Sequence, residues 1–231
     1  MGEKNIVGKI DDLVKVQNVL VSVSDKSGLE ELIPALLEIN PEIMVLSTGG
    51  TFKKVQTILG ESAKGHLVSV DRYTNQPEMQ GGLVKTLDFK IYLGILSETY
   101  NEAHQKDLAE RKVVPIDMVV CNLYPFEQTI ANENTTPEHA RANIDVGGPC
   151  MIRGAAKNYL RVAAVIDPTD YAAIIKELRE NKGMISLETR TELMKKAFAH
   201  TAHYDAAIAN YWKGKTNDEI KETYEVVGDK K

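Results

Sequence analysis

Five short apolar segments, each followed by a stretch with helical or loop character, set the strongest limit on how this chain folds. They are residues 19–23, 43–46, 67–70, 118–121 and 161–166. Apolar runs of this length that alternate with amphipathic helices are typical of a mostly parallel sheet covered by helices on both faces. The sequence therefore predicts an α/β fold in which 161–166 is the last strand. Residues 187–211 predict a long helix that packs across the sheet.

The length of the chain and its lack of repeats and linkers favour one domain. It has 231 residues and shows no internal repeat and no low-complexity linker. We predict a single domain over residues 1–231, with 1–18 as an N-terminal extension and 214–231 as a charged tail. No apolar run approaches the roughly 20 residues that cross a bilayer. Cys121 and Cys150 lie in different motifs without a secretory leader, which predicts a cytoplasmic protein with no membrane partner.

The charge balance points to a small partner. A net charge of −5 argues against a protein that coats nucleic acid, but it leaves room for a local basic pocket that binds a small anion. In parallel sheets, ligands bind where the carboxyl ends of the strands converge. We therefore expect the binding residues in the loops that follow the predicted strands.

Two of these strand-end loops carry residue types that hold phosphate. Ser-Thr-Gly-Gly-Thr at 47–51 combines hydroxyl groups with bare backbone N–H groups at the start of a helix, and Ser-Asp-Lys-Ser-Gly at 24–28 adds a cation. The alternative is that Ser47 and Thr51 only cap the helix. Side by side, the two loops predict a phosphate pocket.

Residues 143–158 bring an acid, a helix start and a base together in one run. Asp145 precedes a Gly-Gly-Pro sequence, which suits the first turn of a helix, and Lys157 follows within the same segment. One hypothesis makes this run the reaction centre. The other is an ordinary loop before an ordinary helix, with Asp145 solvated and Lys157 near the negative helix end.

In combination, seven motifs resemble the inosine monophosphate cyclohydrolase domain of the bifunctional purine-biosynthesis protein, over roughly residues 19–212. The motifs are Ser-Asp-Lys-Ser-Gly-Leu at 24–29, Leu-Ser-Thr-Gly-Gly-Thr at 46–51, Val-Lys-Thr-Leu at 84–87, Cys-Asn-Leu-Tyr-Pro-Phe at 121–126, Asn-Ile-Asp-Val-Gly-Gly-Pro at 143–149, Ala-Ala-Lys-Asn at 155–158 and Ala-Phe-Ala-His-Thr-Ala at 197–202. The resemblance implies a methylglyoxal-synthase-like fold with extra C-terminal helices. It also implies a homodimer that closes 5-formamidoimidazole-4-carboxamide ribotide to inosine monophosphate.

Carried over by position, the resemblance assigns the catalytic groups to Lys85, Tyr124, Asp145 and Lys157. Asp145 would act as base for the carboxamide nitrogen, and Lys85 with Tyr124 would protonate the formyl oxygen. Lys157 would keep Asp145 ionised. The implied substrate-binding residues are Ser24, Lys26, Ser47, Thr48, Gly49, Gly50 and Thr51 for the phosphate, and Thr86, Asn122, Gly147 and Gly148 for the rest of the nucleotide.

The implied chemistry is intramolecular and involves no redox step, so we expect no organic cofactor. We also expect no metal. His200 and His203 lie three residues apart on a predicted helix, but no third ligand is evident for them.

One segment departs from the family pattern. This chain has Leu83 where the family has arginine, Asp88-Phe89 where it has His-Pro, and Tyr92-Leu93 where it has His-Gly. If residues 83 and 88 face the pocket, the changed charges weaken binding of a phosphorylated ligand by on the order of a few kcal/mol. The altered loop 83–93 keeps a second hypothesis open, a non-catalytic domain that senses nucleotide or phosphate. A third is a phosphate lyase of the methylglyoxal synthase type.

Overall fold

The computed structural model describes residues 5–77 and 84–227, and it contains the predicted parallel sheet. Five strands lie in the spatial order β4-β3-β2-β5-β6, and every neighbouring pair is parallel. They are β2 (Asn18–Val23), β3 (Met44–Ser47), β4 (Leu67–Ser69), β5 (Met118–Asn122) and β6 (Ala163–Val165). The prediction of a mostly parallel central sheet is confirmed.

Two further strands form a small separate sheet. β1 (Leu13–Lys15) lies within the predicted N-terminal extension and pairs antiparallel with β7 (Met184–Ser186). The prediction that 161–166 holds the last strand of the chain was therefore wrong. Runs of three residues are too short for apolar alternation to mark them as strands.

Helices surround the sheet. In the described ranges they are α1 (Leu29–Ile39), α2 (Gly49–Leu59), α3 (Val70–Thr74), α4 (Phe89–Leu96), α5 (Glu102–Arg111), α6 (Phe126–Ile130), α7 (Pro137–Ala142), α8 (Gly147–Lys157), α9 (Tyr171–Glu180), α10 (Leu187–Lys213) and α11 (Asn217–Lys221). The predicted long C-terminal helix is confirmed as α10, which packs on α8 and β6. Within residues 5–77 and 84–227, no helix is both long and apolar enough to cross a membrane.

Alternating side chains of the central strands pack into two hydrophobic cores, one on each face of the sheet. On β2, Val19 and Val21 point into the core that contains α1 and α9, whereas Leu20 points into the core that contains α4, α8 and α10. β5 repeats this alternation with Val120 on the first face and Val119 on the second. Burial on both faces fixes the register, because a slip by one residue would exchange the two sets.

A buried ion pair holds the amino ends of the strands together. The Asp117 carboxylate, just before β5, accepts the backbone N–H groups of Gln17 and Asn18 at 2.9 and 3.0 Å. Its other oxygen accepts from the Arg161 guanidinium at 2.9 Å, and Arg161 also donates to the Ser97 carbonyl oxygen. The pair therefore joins the starts of β2 and β5 to the segments before β6 and after α4.

Arg161→Met should destabilise the fold strongly, because Asp117 would remain buried without its counter-charge. We expect a loss of about 3–5 kcal/mol in the free energy of unfolding, measured by urea denaturation at neutral pH. Arg179→Met is the matched control. Its partner Glu38 and Arg179 itself are both more than half exposed, at 67% and 53%, so that loss should stay within about 1 kcal/mol. Equal losses for the two variants would contradict the role given to Arg161.

Candidate active site

A cavity of about 410 Å³ opens at the carboxyl edge of β2, β3 and β5, where parallel sheets place their ligands. Its volume lies in the range of small-molecule sites. The structure brings most of the predicted site residues to its wall. Those that line it are Ser24, Lys26, Thr48, Gly49, Gly50, Thr51, Lys85, Thr86, Asn122, Tyr124, Asp145, Gly147 and Gly148.

One side of the cavity is the N-terminus of α2. The Thr48 side chain makes no capping hydrogen bond, and its hydroxyl instead lies 2.9 Å from the Ser22 hydroxyl. Gly49 begins the helix at φ 44°, in the left-handed region that favours glycine. The helix therefore presents backbone N–H groups and the positive end of its dipole to the cavity, which suits an anion.

Two lysines lie beside this helix terminus. The Lys85 Nζ lies 3.0 Å from the place that a Cβ on Gly49 would occupy. The Lys26 Cε lies 3.9 Å from the place that a Cβ on Gly50 would occupy. The Lys26 ammonium donates to the Ser24 carbonyl oxygen at 3.1 Å, which keeps it at the end of β2. Two cations and a helix N-terminus give this part of the cavity a positive charge that suits an anion.

Two predicted phosphate ligands use their hydroxyl groups elsewhere. The Ser47 side chain is fully buried, donates to the Val21 carbonyl oxygen at 2.8 Å and does not line the cavity. Thr51 lines the cavity, but its hydroxyl donates to the Val23 carbonyl oxygen at 3.0 Å and accepts the Val23 N–H. Buried hydroxyl groups need partners, and here the backbone of β2 supplies them. For these two residues, the side chains tie β3 and α2 to β2.

Asn122 also supports the site through the backbone. Its side-chain oxygen accepts the N–H groups of Ser24 and Asp25 at 2.7 and 2.8 Å, and its side-chain nitrogen donates to the Asp25 carbonyl oxygen. The amide thus fixes the loop after β2, which carries Lys26.

Asp145 forms the acidic part of the cavity, at the start of α8. Its Oδ1 accepts the Gly148 N–H at 2.9 Å, and its own backbone N–H donates to the Tyr204 hydroxyl at 2.8 Å. Burial raises the pKa of Asp145 above its ordinary value, and the hydrogen bond from Gly148 opposes that shift. A half-buried carboxyl with a raised pKa is a candidate general base.

Glycine is required where α8 approaches this carboxyl. A Cβ on Gly148 would lie 2.5 Å from the Asp145 Oδ2 and 2.6 Å from the Leu123 side chain. A Cβ on Gly147 would lie 2.8 Å from the Thr86 hydroxyl. The two glycines let the first turn of α8 pack directly against the residues that line the cavity.

Lys157 is not at the site. It is exposed at the far end of α8, about 15 Å from the first turn at 1.5 Å per residue, and it does not line the cavity. Within one chain Lys157 does not reach Asp145, so this chain does not support the expectation that Lys157 keeps Asp145 ionised. Sequence proximity misled the prediction because the two residues sit at opposite ends of one helix.

Tyr124 lines the cavity at the end of β5 with 52% of its surface exposed. Its phenol can therefore reach a ligand.

Sequence reasoning missed several contributors. Ser22 and Asn143 line the cavity, and the polar Ser22 within an otherwise apolar strand was a signal that could have been used. Cys121 lines it as well, but burial raises the pKa of this thiol, which disfavours the reactive thiolate. Tyr204 lies 59 residues from Asp145, and no local pattern marks it.

The altered segment has a local structural role. Asp88 caps α4, because its carboxylate accepts the Lys90 N–H at 2.7 Å, and the Phe89 ring lies under the Arg111 guanidinium. Leu83, where the family has arginine, lies outside the described residues.

Comparisons with known proteins match both parts of the chain. Residues 28–150 match the MGS-like domain family, and residues 155–231 match the AICARFT/IMPCHase bienzyme family. The chain is 42% identical over 216 residues to the bifunctional purine biosynthesis protein PurH of Acetivibrio thermocellus, and 45% identical over 215 residues to that of Bacillus cereus. Each match covers 93% of this chain and 40% of the relative. The chain thus spans about 40% of the length of these curated relatives.

A solved structure agrees with these matches. The crystal structure of ForH superposes with a TM-score of 0.71 and 32% sequence identity, over 87% of this chain and 100% of that chain. Since the MGS-like match covers more than half of the sequence, and the sheet and its strand-end cavity are intact, the chain belongs to the MGS-like domain family, with a C-terminal part that matches the AICARFT/IMPCHase bienzyme family.

Proposed function

We propose that this chain is an IMP cyclohydrolase, which closes 5-formamidoimidazole-4-carboxamide ribotide to inosine monophosphate with loss of water. The observation that carries the proposal is a single cavity with two opposite electrostatic ends. Lys26 and Lys85 flank the N-terminus of α2, which follows β3, and the Asp145 carboxyl lies beside Leu123, after β5. A ribotide fits this division with its phosphate at α2 and its reacting base near Asp145.

The reaction forms a bond between the carboxamide nitrogen and the formyl carbon. The carboxamide nitrogen and the formamido nitrogen each lose one proton, and the formyl oxygen leaves with both as water. The carboxamide nitrogen is a weak nucleophile, so Asp145 accepts its proton as the bond forms. The oxygen develops negative charge, which the Tyr124 phenol stabilises and protonates. Lys85 lies at the α2 end of the cavity, with the phosphate. Both reacting groups belong to one molecule, so the cavity contributes chiefly by positioning them.

The comparisons support this reaction over a sensing role. The relatives are named as purine biosynthesis proteins, and the matched bienzyme family includes an IMPCHase activity in its name. The sensing hypothesis depended on the altered segment, where Asp88 serves as the cap of α4. Lys157 has no step in the mechanism, because it lies outside the cavity.

We also propose that the chain acts as a homodimer in the cytoplasm. The dimer is supported by the family resemblance. The reducing compartment is supported by the free thiols of Cys121 and Cys150.

Asp145→Asn should remove the base while keeping the shape of the side chain. We expect kcat to fall by roughly 10²- to 10⁴-fold, with KM within a few-fold of the wild-type value. The assay follows the ultraviolet absorbance of the purine formed from purified formylated ribotide. Asp218→Asn, which alters an exposed carboxylate on α11, is the control and should match wild type. A wild-type protein with no rate above background would overturn the proposed function.

The pH dependence of kcat/KM should show an acid limb above pH 3.8, the ordinary pKa of an aspartate. Asp145 must be ionised to accept a proton. Because burial raises its pKa, the rate is lost as the pH falls through that raised value. A limb at or below pH 3.8 in the wild-type profile would contradict this assignment. The residual activity of Asp145→Asn should lack the limb.

Lys26→Met should affect binding more than chemistry, because the phosphate contact is the same in the ground state and the transition state. Loss of one charge-assisted hydrogen bond predicts a KM about 10- to 100-fold higher, with kcat within a few-fold. Lys195→Met provides the control, since Lys195 pairs with Glu192 on the exposed surface. A fall in kcat without a change in KM would show that Lys26 does not hold the phosphate.

A further inference from the structure

A tyrosine from the C-terminal helix α10 supports the acidic end of the cavity from behind. The Tyr204 hydroxyl accepts the Asp145 backbone N–H at 2.8 Å, and Tyr204 is only 6% exposed. The Asp145 carboxyl meanwhile accepts from Gly148. The candidate base is thus held at its backbone by α10 and at its side chain by α8.

The same tyrosine also supports the loop that carries Tyr124. Its ring packs edge-to-face on Phe126, with 6.3 Å between the ring centroids. Phe126 is fully buried, and its N–H donates to the Tyr124 carbonyl oxygen at 2.8 Å. One side chain of α10 therefore contacts the segments of two candidate catalytic residues, which come from different loops.

This contact joins the two matched parts of the chain. Asp145 lies in the segment that matches the MGS-like domain, at residues 28–150, whereas Tyr204 lies in the segment that matches the bienzyme family, at residues 155–231. Helix α10, in the segment that matches the bienzyme family, thus supplies a hydrogen-bond partner for Asp145, the candidate base in the MGS-like segment.

We propose that Tyr204 is a positioning residue: its hydroxyl holds the Asp145 backbone so that the carboxyl faces the reacting carboxamide nitrogen. This inference rests on the proposed cyclohydrolase function. Misplacement of a base by a fraction of the hydrogen-bond length weakens proton transfer, although substrate binding is retained. The C-terminal part of the chain then contributes to the chemistry without touching the substrate.

The test compares Tyr204→Phe with Tyr211→Phe. Tyr211 lies on the same helix and packs on the same Phe126 ring at 6.0 Å, but its buried hydroxyl has no hydrogen-bond partner among the described residues. Each variant removes one oxygen and keeps the ring, and the midpoint of thermal unfolding checks that both fold. We expect Tyr204→Phe to lower kcat roughly 10- to 100-fold with KM little changed. Tyr211→Phe should match wild type.

A second readout does not depend on turnover. Amide hydrogen exchange at Asp145, followed by NMR, should accelerate in Tyr204→Phe and stay unchanged in Tyr211→Phe. A loosened carboxyl is better solvated, so the acid limb of the rate profile and the NMR-measured pKa of Asp145 should shift towards the ordinary value of 3.8.

The outcomes separate this inference from the proposed function. If the wild-type protein converts the ribotide but the kcat of Tyr204→Phe is within twofold of that of Tyr211→Phe, the positioning role is overturned. Unchanged exchange and pKa at Asp145 in Tyr204→Phe would overturn it too, even if the rate falls. A wild-type protein without activity overturns the cyclohydrolase function instead, and the NMR readouts then decide whether Tyr204 positions Asp145.

Discussion

Parallel pairing of β2 with β3 and β5 is the constraint on which the rest of the structure depends. Because both faces of these strands are buried, their register is fixed and their carboxyl ends meet at one edge. The Asp117–Arg161 pair secures the opposite edge. Lys26 follows β2, the N-terminus of α2 follows β3 and Tyr124 follows β5, so this alignment brings all three to the same cavity.

The positive and negative groups of the site lie apart because different segments of the chain carry them. The helix terminus and the lysines at α2 make one end of the cavity positive, whereas the carboxyl at α8 is half-buried and has a raised pKa. Polar side chains between them serve the backbone: Asn122 fixes the loop after β2, and Thr51 ties α2 to Val23. Through these hydrogen bonds, Asn122 and Thr51 hold the charged groups in place and do not compete with them for the ligand.

Much of the fold and of the site could be predicted from local pattern. The apolar runs identified the five strands of the main sheet, and the resemblance named residues of which thirteen line the cavity. Ser47 and Thr51 have the chemistry of phosphate ligands, but residue type does not tell which way a hydroxyl points, and here the backbone of β2 takes both. β1 and β7 were missed because each is three residues long and holds only two consecutive apolar residues, too few to indicate a strand.

By itself, the sequence determined the alternation of strands and helices, and hence the edge at which glycines, lysines and Asp145 would gather, since periodicity and turn chemistry depend on residues a few positions apart. The tertiary structure decided which of those residues meet. It put Lys157 at the far end of α8, away from Asp145, and brought Tyr204 to Asp145 from 59 residues away. Contacts of that kind depend on how helices pack across the sheet, and local sequence does not encode that packing.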